Sequence, residues 1–186
     1  MKIRNSINII IIALLVLFTA QISSAIDGDE KQHKFIGVAK CKMCHKKAKK
    51  GLQFEKWRGS AHSKAYKLLG SPEAMEVAKK RGVENPQEDP KCLRCHTAGY
   101  DATAELRGKK FDITEGVGCE ACHGAGGDYY KSKVMKGLRA GTIEAASVGL
   151  IIPDESTCKR CHNSDSPTPK EFVFKEMWAK IAHPIP

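Results

Sequence analysis

The sequence predicts a mainly α-helical, loop-rich single domain, and three observations predict it. Apolar residues recur on one side of helical repeats at residues 53–69, 72–81 and 171–182, whereas only residues 148–152 combine β-branched density with an apolar run. Glycine and proline punctuate the rest, at residues 82–90, 116–127 and 164–169. All eight cysteines fall into four copies of one pentapeptide, Cys-x-x-Cys-His, whose two cysteines lie one helical turn apart. The length of 186 residues suits one domain. No long apolar run follows the N-terminal one, which excludes a polytopic membrane protein. Long like-charge blocks and low-complexity tracts are missing, which argues against a mostly disordered chain.

In chain order, residues 1–25 read as a secretory signal. Lys2 and Arg4 form a basic start, residues 7–18 an apolar core, and Ser23-Ser24-Ala25 a small-residue cleavage site. A retained anchor is the alternative, but the apolar core is short against the roughly 20 residues of a membrane span. The domain proper is then 26–186, opening with a polar tail that carries His33. Residues 53–69 predict a helix with Phe54, Trp57, Ala61, Ala65, Leu68 and Leu69 on one face. Residues 72–81 predict a second helix, with Ser71 as N-cap, Pro72 at its first position and Gly82 beyond its end. Residues 171–182 predict a third, bearing Phe172, Phe174, Met177, Trp178 and Ile181 and stopping before Pro184.

The pentapeptides are Cys41-Lys42-Met43-Cys44-His45, Cys92-Leu93-Arg94-Cys95-His96, Cys119-Glu120-Ala121-Cys122-His123 and Cys158-Lys159-Arg160-Cys161-His162. Successive copies are 51, 27 and 39 residues apart, too irregular for a solenoid. Cys-x-x-Cys-His is the attachment signature of c-type haem. Two sulfurs on one face of a helical turn reach both vinyl groups of one porphyrin, and the adjacent histidine binds its iron as the proximal ligand. Zinc, disulfides and a thioredoxin-like dithiol compete for the cysteines, yet none explains a histidine after the second cysteine in all four copies. The sequence therefore predicts four covalently attached c-type haems, held by Cys41, Cys44, Cys92, Cys95, Cys119, Cys122, Cys158 and Cys161, with His45, His96, His123 and His162 on the irons.

Four haems among the 161 residues of 26–186 leave about 40 residues each, so porphyrin must form much of the interior. The fold is thus a small multihaem cytochrome c fold organised around its cofactors. Basic charge follows the same logic. Residues 26–186 hold 29 Lys and Arg against 21 Asp and Glu, a net +8. Each oxidised haem adds one net negative charge through its two propionates, bringing the total to about +4. The lysines mainly neutralise cofactor, and no nucleic-acid partner is needed to explain them.

The sixth iron ligand separates electron transfer from catalysis, because an open iron binds small molecules. Beyond the four motif histidines only His33, His62 and His183 remain, so three histidines face four irons. His62 lies on an apolar-striped helix and His183 follows the last helix beside Pro184, which makes both candidate ligands. His33, in the polar tail, could cap a haem of its own or a neighbouring chain. Met135 is the best internal candidate for the fourth iron, since Met43 is badly placed and Met75 and Met177 fit packing roles. Asp89, Glu115 and Glu120 lie near the motifs and read as a solvated rim.

These residues resemble the tetrahaem cytochrome c-554 family, electron acceptors of hydroxylamine oxidoreductase in nitrifying bacteria. The resemblance rests on the first pentapeptide followed by Trp57 to His62, on Cys92 to His96 followed by Gly99-Tyr100, on Gly116 to Gly124 around the third copy, and on the fourth copy with its helix ending at His183. It implies closely packed haem pairs, mostly bis-histidine ligation, distal roles for His62 and His183, and an open iron at the second motif. Family members often carry a distal histidine shortly after the third motif, serving the first haem. Here that segment reads Gly126-Gly127-Asp128-Tyr129-Tyr130. His33, Met135 or a partner chain must then supply the ligand, or none does.

The expected function is an exported carrier, periplasmic or at the cell surface, passing single electrons between redox partner proteins by hopping along four haems. A small-molecule reductase, for instance of nitric oxide, at a five-coordinate haem is the enzymatic alternative. A filament subunit that self-associates through His33 is the structural one. No nucleophile–base pair, phosphate loop or carboxylate dyad stands out.

Overall fold

The protein is described here from a computed structural model, over residues 31–183. Its contacts divide the chain after Gln32, and the unit that begins at His33 carries every element below. The expected leader, residues 1–25, lies outside the described residues. Among the described residues, no helix is long and apolar enough to cross a membrane.

The architecture is helical and loop-rich, as the sequence predicts. Nine α-helices are described: α1 (Val38–His45), α2 (Gln53–Arg58), α3 (Ala65–Leu68), α4 (Pro72–Lys80), α5 (Pro90–His96), α6 (Cys119–His123), α7 (Ser132–Arg139), α8 (Glu155–Lys159) and α9 (Phe174–Ile181). No β-strand occurs among the described residues, only an isolated parallel bridge between Phe35 and Arg107. The apolar run at residues 148–152 does not form a strand. It exchanges single backbone bonds instead, Ile151 N–H donating to the His123 carbonyl at 2.9 Å.

Side-chain caps explain the sharpest helix starts. Ser71 caps α4, its hydroxyl accepting from Ala74 N–H at 3.2 Å with Pro72 in the first turn. Asp89 caps α5 in the same way through Lys91 N–H. Asp154 and Thr157 form a reciprocal capping box at α8. Ser71→Ala is expected to cost about 1 kcal/mol, read as a lower denaturant midpoint at unchanged slope.

The predicted helix over residues 53–69 is broken. α2 stops at Gly59, whose N–H returns to Glu55 at 3.1 Å, and the chain then passes through a 3-10 turn, His62–Lys64, into α3. The serines cause the break. Ser60 donates to the Trp57 carbonyl at 2.7 Å and Ser63 to that of Arg58 at 2.9 Å, diverting carbonyls from a continuous helical ladder.

Glu120 organises the N-terminal side of this unit. Its carboxylate is 5% exposed and accepts from Ile36 N–H, Gly37 N–H and Gly126 N–H at 2.7 to 3.1 Å. The solvated-rim expectation is therefore wrong for Glu120, because those three donors replace the water it would lose. Glu115 is half-buried and accepts from Val38 N–H at 2.7 Å, so it too faces inward. The expected free tail is likewise replaced from His33 onward by a held segment. Phe35 N–H donates to Leu106 and Gly127 N–H to the Lys34 carbonyl, both at 2.8 Å.

The polypeptide alone packs only a small core. Ile36, Val38, Phe54, Leu69, Val83 and Leu93 are buried, while Met43, Leu68, Met75, Ile152 and Trp178 stand exposed.

Candidate haem-binding site

Helices deliver the four motifs. The first closes α1, the second α5, the third is α6, and the fourth runs from α8 into the following turn. The sulfurs of different motifs then meet. Cys41 lies beside Cys119, Cys95 lies beside Cys161, and Cys122 lies in the field of Cys158. The attachment points thus follow one another in space as first, third, fourth, second.

The histidines are the most informative part. His62 and His162 have ring centroids 6.1 Å apart, and His123 and His183 have theirs 5.9 Å apart. An imidazole nitrogen binds a first-row metal at about 2 Å, and about 1.1 Å separates that nitrogen from its ring centroid, so two imidazoles across one iron stand about 6 Å apart. Both pairs fit that spacing. The pairs come from distant sequence, 100 residues apart for His62 and His162.

Four of the site histidines are aimed by their second nitrogen. Nδ1 of His96 donates to the Ala65 carbonyl at 2.8 Å, Nδ1 of His123 to Ile151 at 3.4 Å, and Nδ1 of His183 to Ile181 at 3.1 Å. His45 donates to Gln53 Oε1 at 3.3 Å. A carbonyl can only accept, so Nδ1 carries a proton in these rings and Nε2 is the nitrogen left to meet an iron. His162 is held differently, stacked on Phe172 at 4.8 Å and 17°. Burial, and then the facing histidine, hold His62 and His123 below the ordinary histidine range. That shift favours the neutral ring that ligation demands.

Local backbone explains how His62 reaches its place. Val117 N–H donates to the His62 carbonyl at 3.0 Å, and Trp57 Nε1–H to the Val117 carbonyl at 2.8 Å. Gly116 lies against His62 at φ +77°, where a Cβ would meet the His62 carbonyl oxygen at 2.8 Å. Trp57, His62 and the loop before the third motif are one clamp. Beside His183 a cavity of about 280 Å³ is lined by Leu52, Glu55 and Lys56.

His33 is seated rather than free. Its side chain is 15% exposed, and Nδ1 donates to Asp128 at 2.8 Å. Its ring packs on Gly149, at φ +73°, where any Cβ would collide with the imidazole. Asp128 stands in the very segment where the resembled family often places a distal histidine. Met135 is half-buried on α7 with Leu138, and the described contacts pair no histidine with it.

The sequence reading missed the groups that aim the rings: the carbonyls of Ala65, Ile151 and Ile181, and the side chains of Gln53, Asp128 and Phe172. Backbone carbonyls carry no residue-type signal, so only the fold could reveal them.

The rivals for the cysteines fare worse. Among the described residues no three His, Cys, Asp or Glu side chains converge to hold a metal ion, as tetrahedral zinc requires. All eight cysteines are free of disulfides. A redox dithiol needs a lowered thiol beside its own motif partner, whereas burial pushes Cys92, Cys122 and Cys158 up and Cys161 up to about 12, and Cys119 is lowered chiefly by Cys41 of another motif. Facing imidazoles at the 6 Å spacing, Nε2 atoms left to meet an iron and exposed apolar side chains fit porphyrin.

Motif cysteines on helical turns, each followed by an aimed histidine, define a c-type cytochrome, a protein that carries electrons on covalently bound haem. Residues 40–124 match the family described as cytochrome c554 and c-prime. Cytochrome c-554 of Nitrosomonas europaea is 31% identical over 175 residues, covering 87% of this chain and 69% of that protein. The chain belongs to the cytochrome c-554 family. No solved structure matches it.

Proposed function

We propose that the chain is an exported tetrahaem electron carrier, with residues 1–25 as its leader and 26–186 as one tetrahaem domain in the periplasm or at the cell surface. The two facing histidine pairs carry this reading. Cys41 and Cys44, Cys92 and Cys95, Cys119 and Cys122, and Cys158 and Cys161 each anchor one haem. His45, His96, His123 and His162 are the proximal ligands. His62 stands opposite His162, and His183 opposite His123. His33, seated on Asp128, and Met135 are the remaining candidates for the first and second motifs.

Bound haem supplies a one-electron ferric–ferrous couple. The chain's residues do the rest. Carbonyl-bound Nδ1 protons fix the rings of His45, His96, His123 and His183 and raise their basicity toward iron. Basic side chains offset propionate charge. The spatial sequence of motifs orders the sites for single electrons passing between protein donor and acceptor.

A second reading has its own observation. Seven histidines cannot give four irons two each, and among the described residues no second histidine ring faces His96 or His45. One of these two motifs is the place for an open iron and a small-molecule reductase. His33, held by its own chain, makes a poor bridge to a filament neighbour.

Mass spectrometry of the secreted protein tests the haem count, and electron paramagnetic resonance during a redox titration tests the ligation. Four haems are expected, with low-spin ferric signals for at least the His62–His162 and His123–His183 irons. Apo mass or bound zinc overturns the carrier. Four low-spin irons that ignore carbon monoxide when reduced overturn the reductase alone.

A further inference from the structure

We propose that the face around the first motif docks an acidic redox protein and is the chain's electron entry or exit. This rests on the reading that Cys41 and Cys44 hold haem. Residues 40–58 hold eight Lys and Arg against the single Glu55, a net +7 out of the +10 of the whole chain. The other motifs are balanced: Lys159 pairs with Glu155 at 2.7 Å, Arg94 with Asp165 at 3.7 Å, and the third motif carries buried Glu120. At the first motif, among the described residues, only Arg58 finds an acid, Glu55. Lys46, Lys47, Lys49 and Lys50 are exposed and pair with no carboxylate among the described residues.

The second observation is where this charge sits. Cys44 is the one exposed cysteine of the eight, and Met43 beside it is 58% exposed. The attachment edge of the first motif therefore reaches the surface, and the shortest path for an electron leaves there. An apolar spot ringed by lysines is the anatomy of a small, transient interface, with charge steering the encounter and the spot making contact. Its complement is an acidic rim. A lipid surface suits it less, because α1 presents no apolar face to insert: Val38 is buried, and residues 40–58 expose only Met43 and Leu52 as large apolar side chains.

The test uses the full secreted holoprotein in three forms: wild type, K46E/K47E/K49E/K50E, and a control of equal charge change, K79E/K80E/R81E/K109E. Mass spectrometry first counts haems in each, so failure of the haem reading appears before any kinetics. The probe is an acidic flavodoxin hydroquinone, which loses one electron to a ferric iron and becomes the semiquinone, followed by stopped-flow. The wild-type rate is expected to fall about tenfold or more between low and high salt. At low salt the first variant is expected to run about tenfold slower and the control within about twofold, all three converging at high salt. A fully loaded first variant that reacts at the wild-type rate overturns the proposal, as does a control that slows equally. Binding of wild type but not the first variant to phosphatidylglycerol vesicles, with equal flavodoxin rates, also overturns it and assigns the face to lipid.

Discussion

On the ligation proposed above, His62→Ala is expected to open one iron and leave the others as they were. The imidazole of His62 stands 6.1 Å from that of His162, whereas its backbone is held independently, through Val117 N–H at 3.0 Å. Truncating the ring therefore removes the proposed ligand without releasing the clamp. The expected spectrum loses one low-spin ferric signal, gains one high-spin signal, and the reduced protein binds about one additional equivalent of carbon monoxide per chain. Added imidazole restores the low-spin state. His183→Ala does the same at His123. A His62→Ala protein with full haem content and an unchanged resonance spectrum would show that the pairing is packing and not ligation.

Glu120→Gln is expected to have the largest effect on stability. Three backbone donors converge on a carboxylate that is 5% exposed, tying residues 36 and 37 to the third motif and to Gly126. Burial pushes this carboxyl up, and the three N–H groups pull it back. Glutamine keeps the shape but turns one acceptor into a donor aimed at another donor. The loss is about 2–4 kcal/mol, the cost of buried polar groups left unmatched. The segment it frees also carries His33, so proteolysis near residues 33–37 should rise together with the fall in denaturant midpoint. A midpoint within about 0.5 kcal/mol of wild type would mean that the clamp contributes no more than an ordinary surface contact.

Much of the site was legible because haem attachment is local chemistry. Two sulfurs one turn apart and an adjacent histidine are encoded in five residues, and no distant contact is needed to recognise them. Local caps were legible for the same reason, as Ser71 and Pro72 show. The helix over residues 53–69 was misread because periodicity registers the apolar stripe and ignores Ser60 and Ser63, whose hydroxyls redirect the carbonyls that a longer helix would use. Glu120 was misread because charge reads as exposure until its donors are known.

The amino-acid order alone determined the helical, loop-rich class and the four repeated pentapeptides. It also limited the histidines outside those pentapeptides to three, too few for the four irons proposed. Tertiary structure decided which histidine faces which, that His33 rests on Asp128, and that the charge of the first motif surrounds an exposed cysteine. The division has one physical cause. Covalent attachment acts within a helical turn, whereas axial pairing, carboxylate burial and surface charge depend on segments that only folding brings within reach.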